Sequence, residues 1–497
     1  MSRRYTVAME DARAPFVVGL DVGSGGTRAA LYDATGREVD GRKHKVVHTF
    51  TTGSDGTSTI DADQVVDELQ EALGIVLDGF DGQVAAIGVD TFASSLAAVD
   101  ADGRALTPCI TYADTRCRAQ TAAIREELGE EELARLHDAT GARVHSSFLA
   151  PRLRWIAEEL PEVAESAERY MALGEYAAHR LLGREAIGTA AAAWGGMLDR
   201  RSGEYEPRLL EVAGIDADAL GSPLDPSDPV PVAGTPLAER FGVLADAVWV
   251  PCVGDGLCAN LGIGAVGPTT WGISTATSGA IRVLVEGDIP ELPGGLWAYR
   301  VDAARTLVGS AMSDCGRVLD HVRATFALPE DLAEIDLDGL LGAAPQDSTP
   351  LVVPFLSGER GTGWRDGARA LYAGVTASTT PEDFLRGAME GIALSFLRIA
   401  DQLRTVGRAP ERIVLSGGMT GVVPPWLQIL ADALDAPIDH VDIARSTMRG
   451  AALLALEACE GAEPAIPPVT RRVEPVAGRA EHYRRRLARF EALTDLA

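Results

Sequence analysis

The stretch VVGLDVGSGGTRAALYDATGREV, residues 17–39, decides the fold of this chain. An apolar run ends at Asp21, four glycines fall within eight positions, and a second apolar run leads into the turn signal DATG. Apolar runs bounded by turn residues are typical of buried strands, and a short glycine-rich connection between them favours a β-hairpin. The stretch therefore predicts a strand, a glycine turn and an antiparallel strand, with Asp21 at the end of the first strand.

The predicted hairpin excludes two common nucleotide-binding motifs. A dinucleotide fingerprint needs a third glycine followed by a helix, but Arg28 stands at that position and a strand follows it. A Walker loop is excluded because no Gly-Lys-Ser/Thr sequence follows the glycines. The glycines must therefore be explained by the hairpin itself.

The remaining interpretation is a hairpin turn that binds phosphate. The backbone N–H groups around Gly25 and the hydroxyls of Ser24 and Thr27 would face phosphate oxygens. Arg28 would add a cation, and Asp21 would hold Mg²⁺ directly or through water. An ordinary glycine-rich hairpin with a solvated aspartate and arginine is the alternative.

The charge of the chain argues against two classes of partner. Its 497 residues include 45 Lys and Arg and 72 Asp and Glu, for a formal net charge of −27. A body this acidic repels phosphate backbones and anionic membranes, so we expect no nucleic acid and no membrane as partner. An anionic substrate would need a locally positive pocket.

Cysteine usage and the N-terminal residues predict a cytoplasmic protein. The six cysteines form no C-x-x-C pair, so reduced thiols are expected rather than a disulfide framework or a structural zinc site. Glu10 and Asp11 stand where a signal peptide would place its apolar core. No apolar run approaches the ~20 residues needed to cross a bilayer.

Two recurring patterns predict an α/β fold with mixed sheets. A strand, a glycine turn and another strand occur at residues 16–39 and again at 269–292. Elsewhere a strand leads through a loop into an Ala/Leu-rich helix, as in RIVLSGGMTGVVPPWLQILADAL. Because the hairpin pattern stands near the start of each half, we expect two related domains, at residues 1–267 and 268–462. Residues 463–497 would form a C-terminal connector and helix.

Seven segments in order resemble the FGGY carbohydrate kinases, most closely their gluconate-kinase branch. The resemblance runs from about residue 17 to residue 456 and implies two RNase H-like (actin-like ATPase) domains around a central cleft. It also implies ATP and Mg²⁺ as cofactors. The segments are GLDVGSGGTRAALYD, PCITYADTRC, VGDGLCANLGIGAV, STATSGAIRV, PFLSGERGTGW with ARALYAGV, LSGGMTGVVPPWLQILADALDAPI and RSTMRGAALLAL.

Asp255, in VGDGLC, matches the position of the family's catalytic base. Phosphoryl transfer to a hydroxyl needs a carboxylate within hydrogen-bond reach of that hydroxyl to accept its proton. A helix predicted to begin at about Leu257 would favour the ionised form. The alternative is a Gly-Asp-Gly turn with a capping aspartate.

The resemblance also implies nucleotide contacts in the second half. Thr277, Ser278 and Gly279 resemble the family's second phosphate loop, although Ala276 replaces an expected glycine. Gly309 stands where the family has a contact near the nucleotide. Gly417 and Gly418 would let adenosine lie against bare backbone. The alternative is that they form a routine strand-to-helix turn.

On the substrate side, the resemblance implies contacts from Tyr112, Asp114 and Arg116. The Tyr112 ring would cover the apolar side of a polyol, and Arg116 would hold a carboxylate or instead form an ion pair with Asp114. Ala93 and Ser94 replace a Met-His pair of the gluconate-kinase branch. Ser147 stands where glycerol-phosphorylating relatives carry a tyrosine. Asp255 would touch the reacting hydroxyl.

The resemblance therefore implies an ATP-dependent kinase that phosphorylates a terminal hydroxyl of a small sugar acid or polyol. Gluconate is the expected substrate, and xylulose or another pentulose or polyol is the alternative. A catalytically lapsed relative that binds only sugar or nucleotide is a further alternative. The retained Asp21, Asp255 and Thr277 argue against it, whereas the replaced Met-His pair leaves it open. A homodimer is compatible with this expectation.

Overall fold

A computed structural model describes residues 5–329 and 331–497. The strands of the first half are β1 (Thr6–Val7), β2 (Phe16–Gly23), β3 (Gly26–Tyr32), β4 (Glu38–Val46), β5 (Thr51–Thr52), β6 (Ser58–Ile60), β7 (Val84–Thr91), β8 (Ala97–Val99), β9 (Cys109–Ile110), β10 (Arg169–Met171), β11 (Val230–Pro231), β12 (Val248–Trp249) and β13 (Val253–Gly254). Its helices are α1 (Ala62–Leu77), α2 (Arg118–Thr140), α3 (Leu149–Glu159), α4 (Pro161–Ser166), α5 (Leu173–Leu182), α6 (Thr189–Trp194), α7 (Pro207–Ala213), α8 (Pro236–Arg240) and α9 (Asp255–Gly262).

The second half has the same mixture of strands and helices. Its strands are β14 (Thr270–Thr275), β15 (Gly279–Glu286), β16 (Trp297–Arg300), β17 (Arg305–Met312), β18 (Leu351–Val353), β19 (Leu371–Ala373), β20 (Arg412–Ser416), β21 (Ile438–His440) and β22 (Arg471–Val473). Its helices are α10 (Gly316–Thr325), α11 (Leu337–Leu341), α12 (Pro381–Val406), α13 (Met419–Val422), α14 (Trp426–Leu434), α15 (Ser446–Glu457) and α16 (Arg479–Thr494).

The two large sheets share one topology. In the first sheet, β2, β3 and β4 are antiparallel neighbours, and β7 and β12 continue the sheet parallel to β2 in the order β4-β3-β2-β7-β12. In the second, β17-β15-β14-β20-β21 repeats this order and these directions. This is the RNase H-like arrangement, so the predicted hairpin and the two related domains are confirmed.

Helices α9 and α15 cross between the sheets in very close contact. A side chain on Gly450 of α15 would meet the Cys258 carbonyl of α9 at 2.0 Å. On β7, a side chain on Gly88 would meet the Ala451 carbonyl of α15 at 1.9 Å. Helix α15 therefore packs on the first sheet, although its sequence lies in the expected second domain. The two halves are joined at backbone distance along this crossing.

The C-terminal segment completes the second half. Strand β22, which the sequence analysis did not predict, pairs with β21 at the edge of the second sheet. Helix α16 buries Tyr483 and Phe490 in the same apolar core as α12 and α14. Within residues 5–329 and 331–497, every helix is too short or too polar to span a bilayer.

Candidate active site

Three carboxylates meet where parallel strands of the first sheet end. Asp21 on β2 lies opposite Asp90 on β7, and Gly254 on β13 lies opposite Thr91, one residue further along β7. Asp255 follows directly as the first residue of α9. The carboxyl ends of parallel strands are where open α/β sheets bind ligands. The strand register therefore brings Asp21 and Asp255 together, as their predicted roles require.

Asp21 is held by partners from both halves of the chain. Its Oδ2 atom accepts a hydrogen bond from Arg28 Nη1 at 2.8 Å and another from Thr447 Oγ1 of α15 at 2.9 Å. The residue is 2% exposed. No described residue donates a hydrogen bond to its second oxygen, Oδ1, which is left for a ligand. Arg28 is thus paired with Asp21 rather than free.

Asp90 is a member of this cluster that the sequence analysis missed. Its exposed fraction is 0%, and neither carboxylate oxygen has a hydrogen-bond partner among the described residues. Burial, with the nearby charges of Asp21 and Asp255, raises the pKa of Asp90 well above its usual value. A signal was present, because IGVD ends an apolar run just as VGLD does at Asp21.

Asp255 has a pKa suited to proton transfer. The pKa of Asp255 is raised from 3.8 to about 6, chiefly by burial and also by the charge of Asp21, and the charge of Arg282 opposes this rise. Helix α9 begins at Asp255, two residues before the predicted start, so the Gly256 N–H also stabilises the charged form. Asp255 is partly exposed.

Two arginines beside Asp255 were also missed. Arg282 on β15 is half-buried, and its Nη1 donates to Ser274 Oγ at 3.2 Å. Loss of hydration lowers the pKa of Arg282 to about 10. Arg360 is exposed, and its guanidinium has no hydrogen bond or ion pair within the described ranges. Its charge lowers the pKa of Asp255 and of Tyr112, so all three lie at one site. Both arginines stood in quoted segments, STATSGAIRV and PFLSGERGTGW.

In the first glycine turn, one side chain, that of Thr27, lies on the other face of the sheet from the one predicted. Ser24 and Gly25 are exposed at the tip, as phosphate binding requires. Thr27 is fully buried, and its hydroxyl donates to Glu68 Oε2 at 2.6 Å on the opposite face of the sheet. Side chains alternate between the faces of a strand, so Thr27 and Arg28 point in opposite directions. The predicted phosphate contact of the Thr27 hydroxyl is therefore wrong.

Most of the predicted nucleotide residues of the second half gather at the end of its sheet. Thr277 and Ser278 are exposed in the turn between β14 and β15, and Gly279 begins β15. Gly417 follows β20 with a φ of 134°, and a side chain there would meet the Thr275 carbonyl at 1.9 Å. The exposed Gly417 and its neighbour Gly418 thus lie beside the β14–β15 turn.

Gly309 lies elsewhere, within the second sheet. It is buried in β17, opposite Arg282 on β15 and Trp297 on β16. A side chain at Gly309 would meet the Ile281 carbonyl at 2.5 Å and the Trp297 ring at 3.0 Å. Close packing within the sheet explains why a glycine stands at this position. The predicted nucleotide contact is wrong, because the residue is enclosed.

On the substrate side, the ring of Tyr112 is exposed, whereas the guanidinium of Arg116 is bound by a carboxylate of the protein. Tyr112 is 38% exposed and packs edge-on against Phe92, with ring centroids 6.2 Å apart. Arg116 forms an ion pair with buried Asp114 at 2.8 Å and stacks on the Trp155 ring at 4.4 Å. Arg116 thus forms the ion pair of the second interpretation, and its contact with a substrate carboxylate stays a prediction.

The other predicted substrate residues are less open. Ser94, at a φ of 55°, donates its hydroxyl to the Trp194 carbonyl. Ala93 is half-buried, and so is Ser147, whose backbone N–H donates to His145 Nδ1 at 3.1 Å. Ser94 therefore shapes the wall of the cleft through a backbone contact.

Known proteins match the chain over nearly its whole length. It is 25% identical over 458 residues to a gluconokinase of Bacillus subtilis, covering 89% of this chain and 87% of that protein. It is 28% identical over 475 residues to a xylulose kinase of Streptomyces rubiginosus, covering 95% and 93%. A solved gluconate kinase from Lactobacillus acidophilus, 22% identical, has a TM-score of 0.88 and covers 97% of this chain and 98% of that one.

The family itself matches in two consecutive parts. Residues 16–262 match the N-terminal domain of the FGGY family of carbohydrate kinases, and residues 281–459 match the C-terminal domain. Together these parts contain every carboxylate and arginine of the site described above. The chain therefore belongs to the FGGY family of carbohydrate kinases.

Proposed function

We propose that this sugar kinase transfers the γ-phosphoryl group of ATP to a terminal hydroxyl of an open-chain sugar acid, with gluconate preferred. The observation that supports the acid over a neutral sugar is the unpaired, exposed Arg360 beside Asp255 and Tyr112. In a chain of net charge −27, an uncompensated cation at the reacting carboxylate provides the local positive potential that an anionic substrate needs.

Asp255 would act as the general base. In the ionised form it accepts the proton of the attacking hydroxyl, and a pKa of about 6 leaves it ionised at neutral pH yet basic enough to take the proton. Arg282 would stay beside Asp255 and hold its carboxylate toward the cleft. Tyr112 would pack its exposed ring against the carbon chain of the sugar acid.

The nucleotide would lie between the two glycine-rich turns. The first turn offers Ser24 and Gly25, and the second offers Thr277, Ser278 and the backbone of Gly279. Gly417 and Gly418 would accommodate the adenosine. Thr27 and Gly309 would not contact the nucleotide, because both positions are enclosed.

Asp21 fits the role of Mg²⁺ ligand. Its Oδ1 atom has no partner within the described ranges, while Arg28 and Thr447 orient the carboxylate through Oδ2. Mg²⁺ is usually bound through one or two carboxylates together with substrate phosphates, which matches this site. When bound, the ion neutralises charge on the phosphate oxygens.

A substrate panel with one charge variant tests the proposal. ADP release would be measured with gluconate, xylulose, ribulose, glycerol and erythritol, for the wild type and Arg360→Gln. Arg408→Gln, an exposed arginine between α12 and β20, is the matched control. We expect gluconate to be preferred and its KM to rise at least tenfold in Arg360→Gln only, because one charge-assisted bidentate contact is lost. Preference for xylulose in the wild type would instead support a pentulose kinase.

A further inference from the structure

We infer that Asp90 is a second protein ligand, beside Asp21, for the divalent cation in this cleft. The inference rests on the proposed function for the nucleotide that completes the site. Cation binding by the two carboxylates can be measured without any sugar or turnover.

The strand register places the two carboxylates side by side. Asp21 and Asp90 are direct neighbours on the parallel strands β2 and β7. Neighbouring strands lie about 4.8 Å apart, and paired residues project to the same face of the sheet. That face is the one on which Thr447 of α15 reaches Asp21 at 2.9 Å. The two side chains therefore share one small volume under the helix crossing.

The oxygens in that volume are available to a cation. Both carboxylate oxygens of Asp90 are unpartnered among the described residues, although the side chain is fully buried. Asp21 Oδ1 is open as well, because Arg28 and Thr447 both bind Oδ2. A buried carboxylate without a partner is costly, since burial removes its hydration and nothing replaces it. A bound cation would remove this cost.

The donor set selects the kind of cation. Two carboxylates on adjacent strands suit a hard ion such as Mg²⁺ or Mn²⁺, which takes oxygen ligands and keeps water or phosphate at its other positions. In residues 5–329 and 331–497, no group of three or more His, Cys, Asp or Glu side chains has the arrangement of a metal site. The two carboxylates would thus need the nucleotide phosphates to complete the coordination.

A different explanation is that Asp90 is a protonated acid that only fills space. The high pKa of Asp90 in the absence of a cation is compatible with both explanations. Asparagine has the shape of a protonated aspartic acid and no charge. The variant Asp90→Asn therefore separates the two explanations, because it preserves packing and removes a charged ligand.

The experiment measures Mn²⁺ binding by electron paramagnetic resonance, with and without the non-hydrolysable analogue β,γ-imido-ATP. The proteins are the wild type, Asp90→Asn, Asp90→Ser, Asp21→Asn and a control, Glu175→Gln, which changes a buried carboxyl group on α5 outside the cleft. We expect the Asp90 variants to bind Mn²⁺ with the analogue at least about tenfold more weakly, because losing even a residue that only supports a metal ligand typically costs that much. Asp21→Asn should weaken binding similarly, and Glu175→Gln should match the wild type.

Wild-type Mn²⁺ affinity in the Asp90 variants would overturn the inference, and so would equal weakening in Glu175→Gln. Melting temperatures without metal show whether each variant is folded, and Asp90→Asn should melt at or above the wild type because a buried charge is gone. If the wild type phosphorylated no sugar in the panel but Asp90→Asn still lost Mn²⁺ affinity, the proposed function would fail and this inference would stand.

Discussion

The imidazole of His48 supports the first glycine turn from behind, because its Nε2 atom donates a 2.9 Å hydrogen bond to the Gly23 carbonyl. A carbonyl oxygen only accepts, so Nε2 carries a proton. The Nδ1 atom lies 2.7 Å from Glu68 Oε2, the same oxygen that accepts the Thr27 hydroxyl. The side chain of His48 is fully enclosed. The turn proposed to hold phosphate is thus fixed by a buried His-Glu pair on the opposite face.

We therefore predict that His48→Ala weakens ATP binding without removing any direct contact. Loss of the buried hydrogen bond to Gly23 should let the turn move, and a misplaced turn should raise the KM for ATP roughly tenfold, in line with ~1–3 kcal/mol for an unmade buried hydrogen bond. The KM for the sugar should change little. Steady-state kinetics with each substrate varied would show this difference.

The control for His48 is His44→Ala on β4, a half-buried histidine whose ring lies 3.7 Å from Glu71. An equal rise in the KM for ATP in His44→Ala would contradict a specific role for His48. So would a His48→Ala variant with unchanged ATP kinetics.

A second prediction concerns pH. The pKa of Asp255 is raised to about 6, and a general base must be unprotonated, so kcat/KM should fall about tenfold per pH unit below pH 6. Asp255→Asn should lose at least ~10²-fold in kcat, the lower range for a missing general base. Rates of ADP release between pH 5 and 8 would test both expectations. A pH profile that stays flat down to pH 5 would exclude Asp255 as the base.

The same pKa shift predicts an effect on stability. Between the unfolded pKa of Asp255 and about 6, the folded chain holds this proton more tightly, so the free energy of unfolding should fall as pH rises through that window. Above pH 6 the charged Asp255 lacks much of its hydration, and the nearby arginines offset only part of that cost. Asp255→Asn should therefore melt at a higher temperature than the wild type at pH 8 and show a smaller difference at pH 4.

Local sequence signals predicted the hairpin, the two related domains and the place of Asp21 at the end of a strand, whereas Asp255 was singled out by the family resemblance. They did not identify Asp90, because its role depends on the parallel register of β2 and β7, which are separated by more than 60 residues of chain. Arg360 was missed for a similar reason. The sequence does not show whether an arginine has a carboxylate partner, because that depends on which residues the fold brings next to it. Thr27 was misassigned because the sequence does not show which face of a strand looks into the cleft.

A fourth prediction tests the crossing of α9 and α15. Gly450→Ala would place a Cβ atom 2.0 Å from the Cys258 carbonyl, which is backbone and cannot turn aside. The two helices must then separate, and we expect a loss of at least ~2 kcal/mol in stability, as for overpacking in a tight core. Thermal or denaturant unfolding would measure the loss. Gly242→Ala, where no atom lies within 4 Å of the added Cβ, should unfold like the wild type.

The last prediction separates a structural from a recognition role for Arg116. Its guanidinium binds Asp114 at 2.8 Å, and Asp114 in turn accepts the Ser58 N–H at 2.9 Å, which links this loop to β6. Arg116→Gln leaves buried Asp114 without its cation, so the variant should lose stability, by about 3 kcal/mol if the pair behaves as fully buried. The ratio of kcat/KM for gluconate to that for erythritol should stay within about twofold of the wild type, because the carboxylate is expected at Arg360. A selective loss of gluconate activity at unchanged melting temperature would instead assign the substrate carboxylate to Arg116.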